Sequence, residues 1–168
     1  MKILSISGSI RQGSSNAALL RAAKNFFHHH EWHSFDLQEL PYFDPDLQYS
    51  VDTPAIITSL RILAGRCDLI LISTPEYAHG VPGLLKNGLE WLFCEHTMKK
   101  PVAVIIGSAQ GEWARDQLLE ILKTMDFSIV PENFLLIHGA RTKVRSDGSF
   151  TDEDTKVKFE KFCQTLTQ

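Results

Sequence analysis

A chain of 168 residues with 43 % apolar and 22 % charged residues is long enough for one domain around a substantial core, and its composition is ordinary for a globular protein. The net charge of −3 excludes a bulk affinity for nucleic acid or for a membrane surface, so any anion site must come from local geometry. No apolar run approaches the length of a membrane span, the N-terminus lacks the pattern of a secretory leader, and Cys67, Cys94 and Cys163 fit reduced thiols in a cytoplasmic protein better than a disulfide framework or a zinc site.

Strand and helix signals alternate from one end to the other, with no repeat or linker, so residues 1–168 are expected to form a single domain. The first strand is predicted at Lys2–Ser7, followed by a helix with Leu19, Ala22, Ala23, Phe26 and Phe27 on one stripe. Glu31–Leu37 reads as a short second strand, and Leu40–Asp46 as a loop marked by two prolines. Thr53 and Pro54 read as N-cap and first residue of a helix that carries Ile56, Leu60, Leu63 and Ala64 on one face and ends at Gly65. Cys67–Ser73 is a continuous apolar strand of the kind buried on both faces. After the loop Thr74–Val81 a helix is predicted from Pro82 to Phe93. A buried strand follows at Pro101–Gly107, then a helix from Gly111 with Ala114, Leu118, Ile121, Leu122 and Met125 on one side. Phe134–His138 is the fifth strand. The last helix starts at Thr151–Asp154, where acids sit at its positive end, and carries Phe159, Phe162, Cys163 and Leu166 as its apolar stripe.

Five buried strands alternating with helices predict a doubly wound α/β sandwich, with ligands beyond the carboxyl ends of the strands. Three loops lie there: Gly8–Ser15, Thr74–Val81 and Ser108–Gly111. The first has an anion chemistry of its own. A strand, a small polar loop and a helix leave unpaired N–H groups at a partly positive helix end. Gly8 and Gly13 allow the backbone to bend close to an anion, Ser9, Ser14 and Ser15 add hydroxyls, and Arg11 adds a charged fork. The loop is one residue short of a triphosphate-binding loop and has Ser14 where that loop has lysine, and G-x-G-x-x-G is absent.

Two of these loops together carry a family resemblance. G-S-I-R-Q-G-S-S-N (Gly8–Asn16) resembles the G-S-x-R-x-x-S-x-N phosphate loop of the NADPH-dependent FMN reductases. P-E-Y-A-H-G-V-P-G-L-L-K-N (Pro75–Asn87) is similar to that family's flavin loop and following helix. The resemblance is strongest from Met1 to Leu92 and continues through Ser108–Leu122. It implies a flavodoxin-like three-layer sandwich with a five-stranded parallel sheet in the order 2-1-3-4-5, assembled as a homodimer or homotetramer. It also implies FMN as cofactor and NADPH or NADH as co-substrate, with electrons passed in ping-pong fashion to a small-molecule acceptor: a quinone, an azo compound, a metal oxyanion or free flavin. Residue by residue, Ser9, Arg11, Ser14 and Asn16 would hold the FMN phosphate, with Ser15 offering a further donor. Pro75, Glu76, Tyr77, Ala78, His79 and Gly80 would wrap the ring, largely through backbone groups. Ser108, Gln110 and Gly111 would close the other side. Ala78 stands where many relatives carry Asn. The competing reading is a flavodoxin-like electron carrier, which is typically far more acidic, or a relative that has lost its flavin.

No catalytic side chain is expected, because the cofactor carries the chemistry. Several features have plainer readings. Arg141, Lys143 and Arg145 read as charges of a solvated loop rather than a site for the extra phosphate of NADPH. His28–His30 reads as a mobile polar helix end. His79 reads as a loop residue rather than a proton donor. The apolar excess of the helix after Pro82 (Leu84, Leu85, Leu89, Trp91, Leu92, Phe93) fits either full burial or a subunit interface.

Overall fold

Lys2–Ser7 forms β1 because its apolar residues serve both faces of a sheet: Ile3 packs on one side, Leu4 and Ile6 on the other. The computed structural model describes residues 1–11 and 13–167; Gln12, inside the first loop, lies outside the described residues. The other strands are β2 (Glu31–Phe35), β3 (Leu69–Thr74), β4 (Val102–Ser108) and β5 (Phe134–His138). All pair in parallel, in the order β2-β1-β3-β4-β5, so the expected topology is the observed one. The helices are α1 (Ser15–Phe26), α2 (Ala55–Arg66), α3 (Gly83–Leu92), α4 (Glu112–Thr124), a short α5 (Ala140–Lys143) and α6 (Glu153–Thr165).

The strands divide two cores by alternation. Ile70, Ile72, Val104 and Ile106 face α2, α3 and α4, while Leu71, Ala103 and Ile105 face α1 and α6. The three central strands, β1, β3 and β4, are buried on both faces, as a parallel sheet between helical layers requires.

The element ends depart from expectation for local reasons. β2 stops at Phe35 because the Asp36 carboxylate accepts the Gln38 N–H at 2.9 Å and starts a helical turn. β3 starts later than predicted because Cys67 closes α2, its N–H donating to Leu63 O and Ala64 O. β4 begins after Pro101, which has no N–H for the ladder. Helix α2 is capped by Pro54, not Thr53, whose hydroxyl instead donates to Leu47 O and Ser50 O. It also runs through Gly65 to Arg66. The stretch after β5, expected as open loop, contains α5, entered through Gly139 in the left-handed region at φ 65°.

On α3 the apolar excess is accounted for within the chain. Leu85, Leu89, Trp91 and Leu92 are buried. Trp91 Nε1 donates to Pro41 O at 2.9 Å, and its ring meets Phe43 edge-on at 5.0 Å. Phe93 stays exposed and Leu84 half-buried. No helix among the described residues is long and apolar enough to cross a membrane.

Candidate active site

The carboxyl ends of β1, β3, β4 and β5 open into a cleft of about 390 Å³. One wall comes from the first loop and the start of α1: Ser9, Arg11, Ser14, Ser15 and Asn16. The second loop supplies Pro75, Glu76 and Tyr77. The far side is built by Gly107, Ser108 and Ala109 after β4, and by Gly139, Ala140 and Arg141 after β5.

The first loop is folded on its own serines. Ser7 Oγ donates to Ser9 O at 3.0 Å and accepts the Ser9 N–H at 3.2 Å. Ser14 caps α1, its hydroxyl accepting the Asn16 N–H at 3.2 Å. The N–H of Ser15 has no hydrogen-bond partner among the described residues and lies at the positive end of α1. Gly8 is required by packing. Its N–H donates to Ser73 O at 2.8 Å, and a Cβ there would lie 2.2 Å from Thr74 Oγ1, so the glycine lets β1 leave the sheet against β3. Gly13 does adopt the left-handed region, at φ 70°.

Asn16 reaches this wall from inside the protein. It is 2 % exposed. Its Nδ2 donates to Gly107 O at 2.9 Å, and its Oδ1 accepts from Gly107 N at 3.0 Å and from Ser73 Oγ at 3.0 Å. The side chain therefore ties the start of α1 to the ends of β3 and β4.

The second loop is a tight hairpin. Tyr77 and Gly80 exchange backbone hydrogen bonds at 3.1 and 3.0 Å, and the two residues between them, Ala78 and His79, sit at φ 50° and 56°. Two successive left-handed residues make the turn of a primed hairpin, which favours Asn and Gly. Here the second loop carries two non-glycine residues in that conformation and the strain that goes with it. The Glu76 side chain, 6 % exposed, turns away from solvent, and its Oε2 accepts the Ala114 N–H at 3.0 Å. It thereby caps α4, whose own N-cap, Gly111, has no side chain to offer. Gln117 on α4 returns the contact, its Oε1 accepting the Val81 N–H at 2.6 Å. Tyr77, 52 % exposed, borders the cleft, and its hydroxyl lies 3.4 Å from Ser9 Oγ, joining the first two loops.

Nine of the fourteen expected residues border the cleft: the five of the first loop, then Pro75, Glu76, Tyr77 and Ser108. Ala78, His79 and Gly80 form the hairpin beyond Tyr77. Gln110 and Gly111 fall outside the lining. Gly111, at φ 127°, is packed so that a Cβ would lie 2.4 Å from Leu136 Cδ1. His79 Nδ1 stands 3.7 Å from Glu76 Oε1, and its ring meets the exposed Trp113 edge-on at 6.0 Å. Sequence reasoning set Arg141 aside as a loop charge, yet α5 brings it to the cleft. The signal available in the sequence was Gly139, two residues before it.

The charges of the cleft are unbalanced. Its only carboxylate, Glu76, is spent on α4. The guanidiniums of Arg11 and Arg141 pair with no carboxylate among the described residues. Two guanidiniums without a carboxylate partner among the described residues, the Ser15 N–H and the positive end of α1 suit a dianionic phosphate, and the aromatic face of Tyr77 suits a flat ring beside it. The residues present thus fit FMN, and the cleft volume is in the range of a cofactor site.

Comparison with known proteins agrees. Residues 1–142 match the family of NADPH-dependent FMN reductases. The chain is 31 % identical over 166 residues to an NAD(P)H:quinone oxidoreductase of Solanum tuberosum, covering 93 % of this chain and 86 % of that protein. It is 26 % identical over 173 residues to an NAD(P)H-dependent FMN reductase of Pseudomonas aeruginosa, covering 99 % and 93 %. Among solved structures it is similar to FerB of Paracoccus denitrificans, a flavoenzyme NAD(P)H:(acceptor) oxidoreductase, with a TM-score of 0.83, 26 % identity and coverage of 98 % and 94 %. An archaeal flavodoxin shares the fold alone, at 9 % identity and a TM-score of 0.64. With its sheet order, its two motif loops and a match over most of its length, the chain belongs to the NADPH-dependent FMN reductase family.

Proposed function

We propose that residues 1–168 form one cytoplasmic FMN-binding domain that oxidises NADPH or NADH and reduces a quinone-class acceptor in a ping-pong sequence. The observation that carries this reading is the pair of guanidiniums, Arg11 and Arg141, that have no carboxylate partner among the described residues and stand beside the start of α1 in a cleft whose rim is Tyr77. FMN, when bound, would supply the two-electron redox chemistry between a nicotinamide donor and a small-molecule acceptor. The quinone class is supported by the name of the Solanum tuberosum relative.

The chain's own work is binding and orientation. Arg11, with Ser9, Ser14 and Ser15, would hold the phosphate, and Arg141 would add a second positive charge to it. Asn16 holds that anchor to the sheet. The backbone of Pro75–Gly80 orients the ring, Tyr77 walls it, and Ser108 closes the opposite side. Glu76 and Gly111 fix where α4 begins, and with it the position of Trp113. Backbone N–H groups around Ala78 and His79 are available to stabilise negative charge on the reduced ring.

A homodimer is part of this proposal. Phe43, Phe93, Ile121 and Met125 border an apolar groove of about 330 Å³ beside α3 and α4. A monomeric mass in solution at micromolar protein removes that part.

The test is a visible spectrum of protein loaded with FMN and freed of excess, followed by anaerobic NADPH or NADH. Retained flavin that bleaches rapidly, and recovers on adding a quinone, is the expected result. Retained flavin that stays oxidised with both nucleotides points to an electron carrier, and failure to retain flavin overturns the assignment of the cleft.

A further inference from the structure

Arg61 is a charge that the fold buries without a counter-charge. It lies on the inward side of α2 and is 8 % exposed. Its Nε donates to Trp91 O at 2.8 Å and its Nη1 to Gln48 O at 2.7 Å. The guanidinium so joins α2 to the last turn of α3 and to the segment ahead of α2, and the negative end of α3 offsets part of its charge. Nη2 is buried and has no hydrogen-bond partner. Among the described residues no Asp or Glu pairs with Arg61. Of the described residues that line its cavity one is an acid, Glu95, whose side chain is exposed and lies 4.0 Å from His96 Nε2. A buried cation with an open donor carries an uncompensated desolvation cost that an added anion relieves.

Arg61 lines a cavity of about 490 Å³ between α2, residues 48–53 and residues 94–96. None of its lining residues borders the first cleft. The ring of Tyr49 lies over the guanidinium, its centroid 6.0 Å from Cζ, and Tyr49 is itself well exposed. Among the described residues its hydroxyl meets Gln48 Nε2 at 3.2 Å and Phe93 O at 3.3 Å, and the ring flanks the cavity from its exposed side. Ser50 contributes a hydroxyl that accepts from Asp52 N and keeps its own proton to donate.

We propose that this cavity is a binding site for a small oxyanion, a carboxylate or a phosphate, received by Arg61 Nη2 and the Ser50 hydroxyl when the Tyr49 ring swings aside. A guanidinium is the natural partner for both anions. The site is independent of the flavin cleft.

The experiment is equilibrium dialysis of inorganic phosphate, and separately of acetate, against the chain in saturating FMN, so that the first cleft is filled. Thr58, exposed at the cavity edge, stands three residues before Arg61 on α2, within side-chain reach. Thr58→Glu places a carboxylate beside the guanidinium from within the chain, and Thr58→Gln is its neutral control. Saturable binding is expected in the wild type and in Thr58→Gln, lost in Thr58→Glu, and weakened at least about tenfold in Arg61→Lys. Which anion binds identifies the source: acetate alone points to carboxylates, phosphate alone to phosphates. Arg61→Lys gives up two backbone contacts and can lose its fold, so Thr58→Glu decides. Absence of saturable binding for both anions, or binding that Thr58→Glu leaves unchanged, overturns the proposal.

Discussion

Asn16 separates two accounts of the first loop. If its amide serves the fold, Asn16→Ala must destabilise the chain in the absence of flavin. The substitution removes three hydrogen bonds and leaves Gly107 N–H, Gly107 O and the Ser73 hydroxyl without their partner. A buried polar group left open costs ~1–3 kcal/mol, and one residue's cavity cannot re-satisfy all three, so a loss of about 3 kcal/mol is expected. For a chain of this size that is a fall in Tm of roughly 6–12 °C. Urea unfolding of the flavin-free protein measures it, with the slope unchanged and the midpoint lowered. Asn16→Asp sharpens the argument. It keeps an acceptor for Gly107 N–H and Ser73 but sets a carboxylate oxygen against Gly107 O. Burial and that carbonyl raise the acid's folded pKa above its unfolded value. The variant is therefore expected to regain stability relative to wild type as pH falls through the folded value, where the protonated carboxyl donates to Gly107 O. A loss in Asn16→Ala below about 1 kcal/mol, together with a collapse of FMN affinity, would refute the reasoning and make the side chain a direct phosphate ligand.

Four further outcomes follow from the geometry. Arg11→Ala and Arg141→Ala are each expected to weaken FMN binding by at least about tenfold in a fluorescence titration, while turnover in saturating FMN stays near wild type; equal affinity in either variant removes that residue from the phosphate site. Ala78→Gly is expected to stabilise the flavin-free chain by about 1 kcal/mol, because a left-handed alanine is strained and glycine is not; a lower urea midpoint contradicts the strain. The Asp152 carboxylate is held below its usual pKa by the hydroxyl and N–H of Thr155 at the start of α6, so its stabilisation is present above the unfolded value and lost as pH falls through the folded one. Asp152→Ala should accordingly melt lower than wild type at neutral pH, with the gap closing in acid. Burial pushes the Cys163 thiol up to about 12, so it should resist a thiol reagent in the native protein and react on unfolding; rapid native labelling of Cys163 contradicts its burial.

Much of the fold was legible because its signals are local. The apolar runs at Lys2–Ser7 and Phe134–His138 match β1 and β5 residue for residue, and the helical stripes match the buried faces of α1, α4 and α6. Errors lie at element ends, where competing hydrogen bonds decide (Asp36 ends β2, and Cys67 serves α2 rather than β3), and in the short α5, expected as open loop. The candidate site was legible where it consists of contiguous motif, as in Ser9–Asn16 and Pro75–Tyr77.

By itself, then, the sequence determined the α/β alternation, the small polar residues and glycines that suit the first loop to an anion, and the family to which the two motifs point, since each rests on residues close together in the chain. Only the tertiary structure decided what those residues do for one another across long separations. It spends Asn16 on Gly107 and Ser73, turns Glu76 into the cap that α4 lacks, and carries Arg141 from an apparent loop to the cleft. It also leaves Arg61 buried with an open donor. Hydrogen bonds and buried charges are settled by distance in space, and spacing along the chain carries no record of that distance.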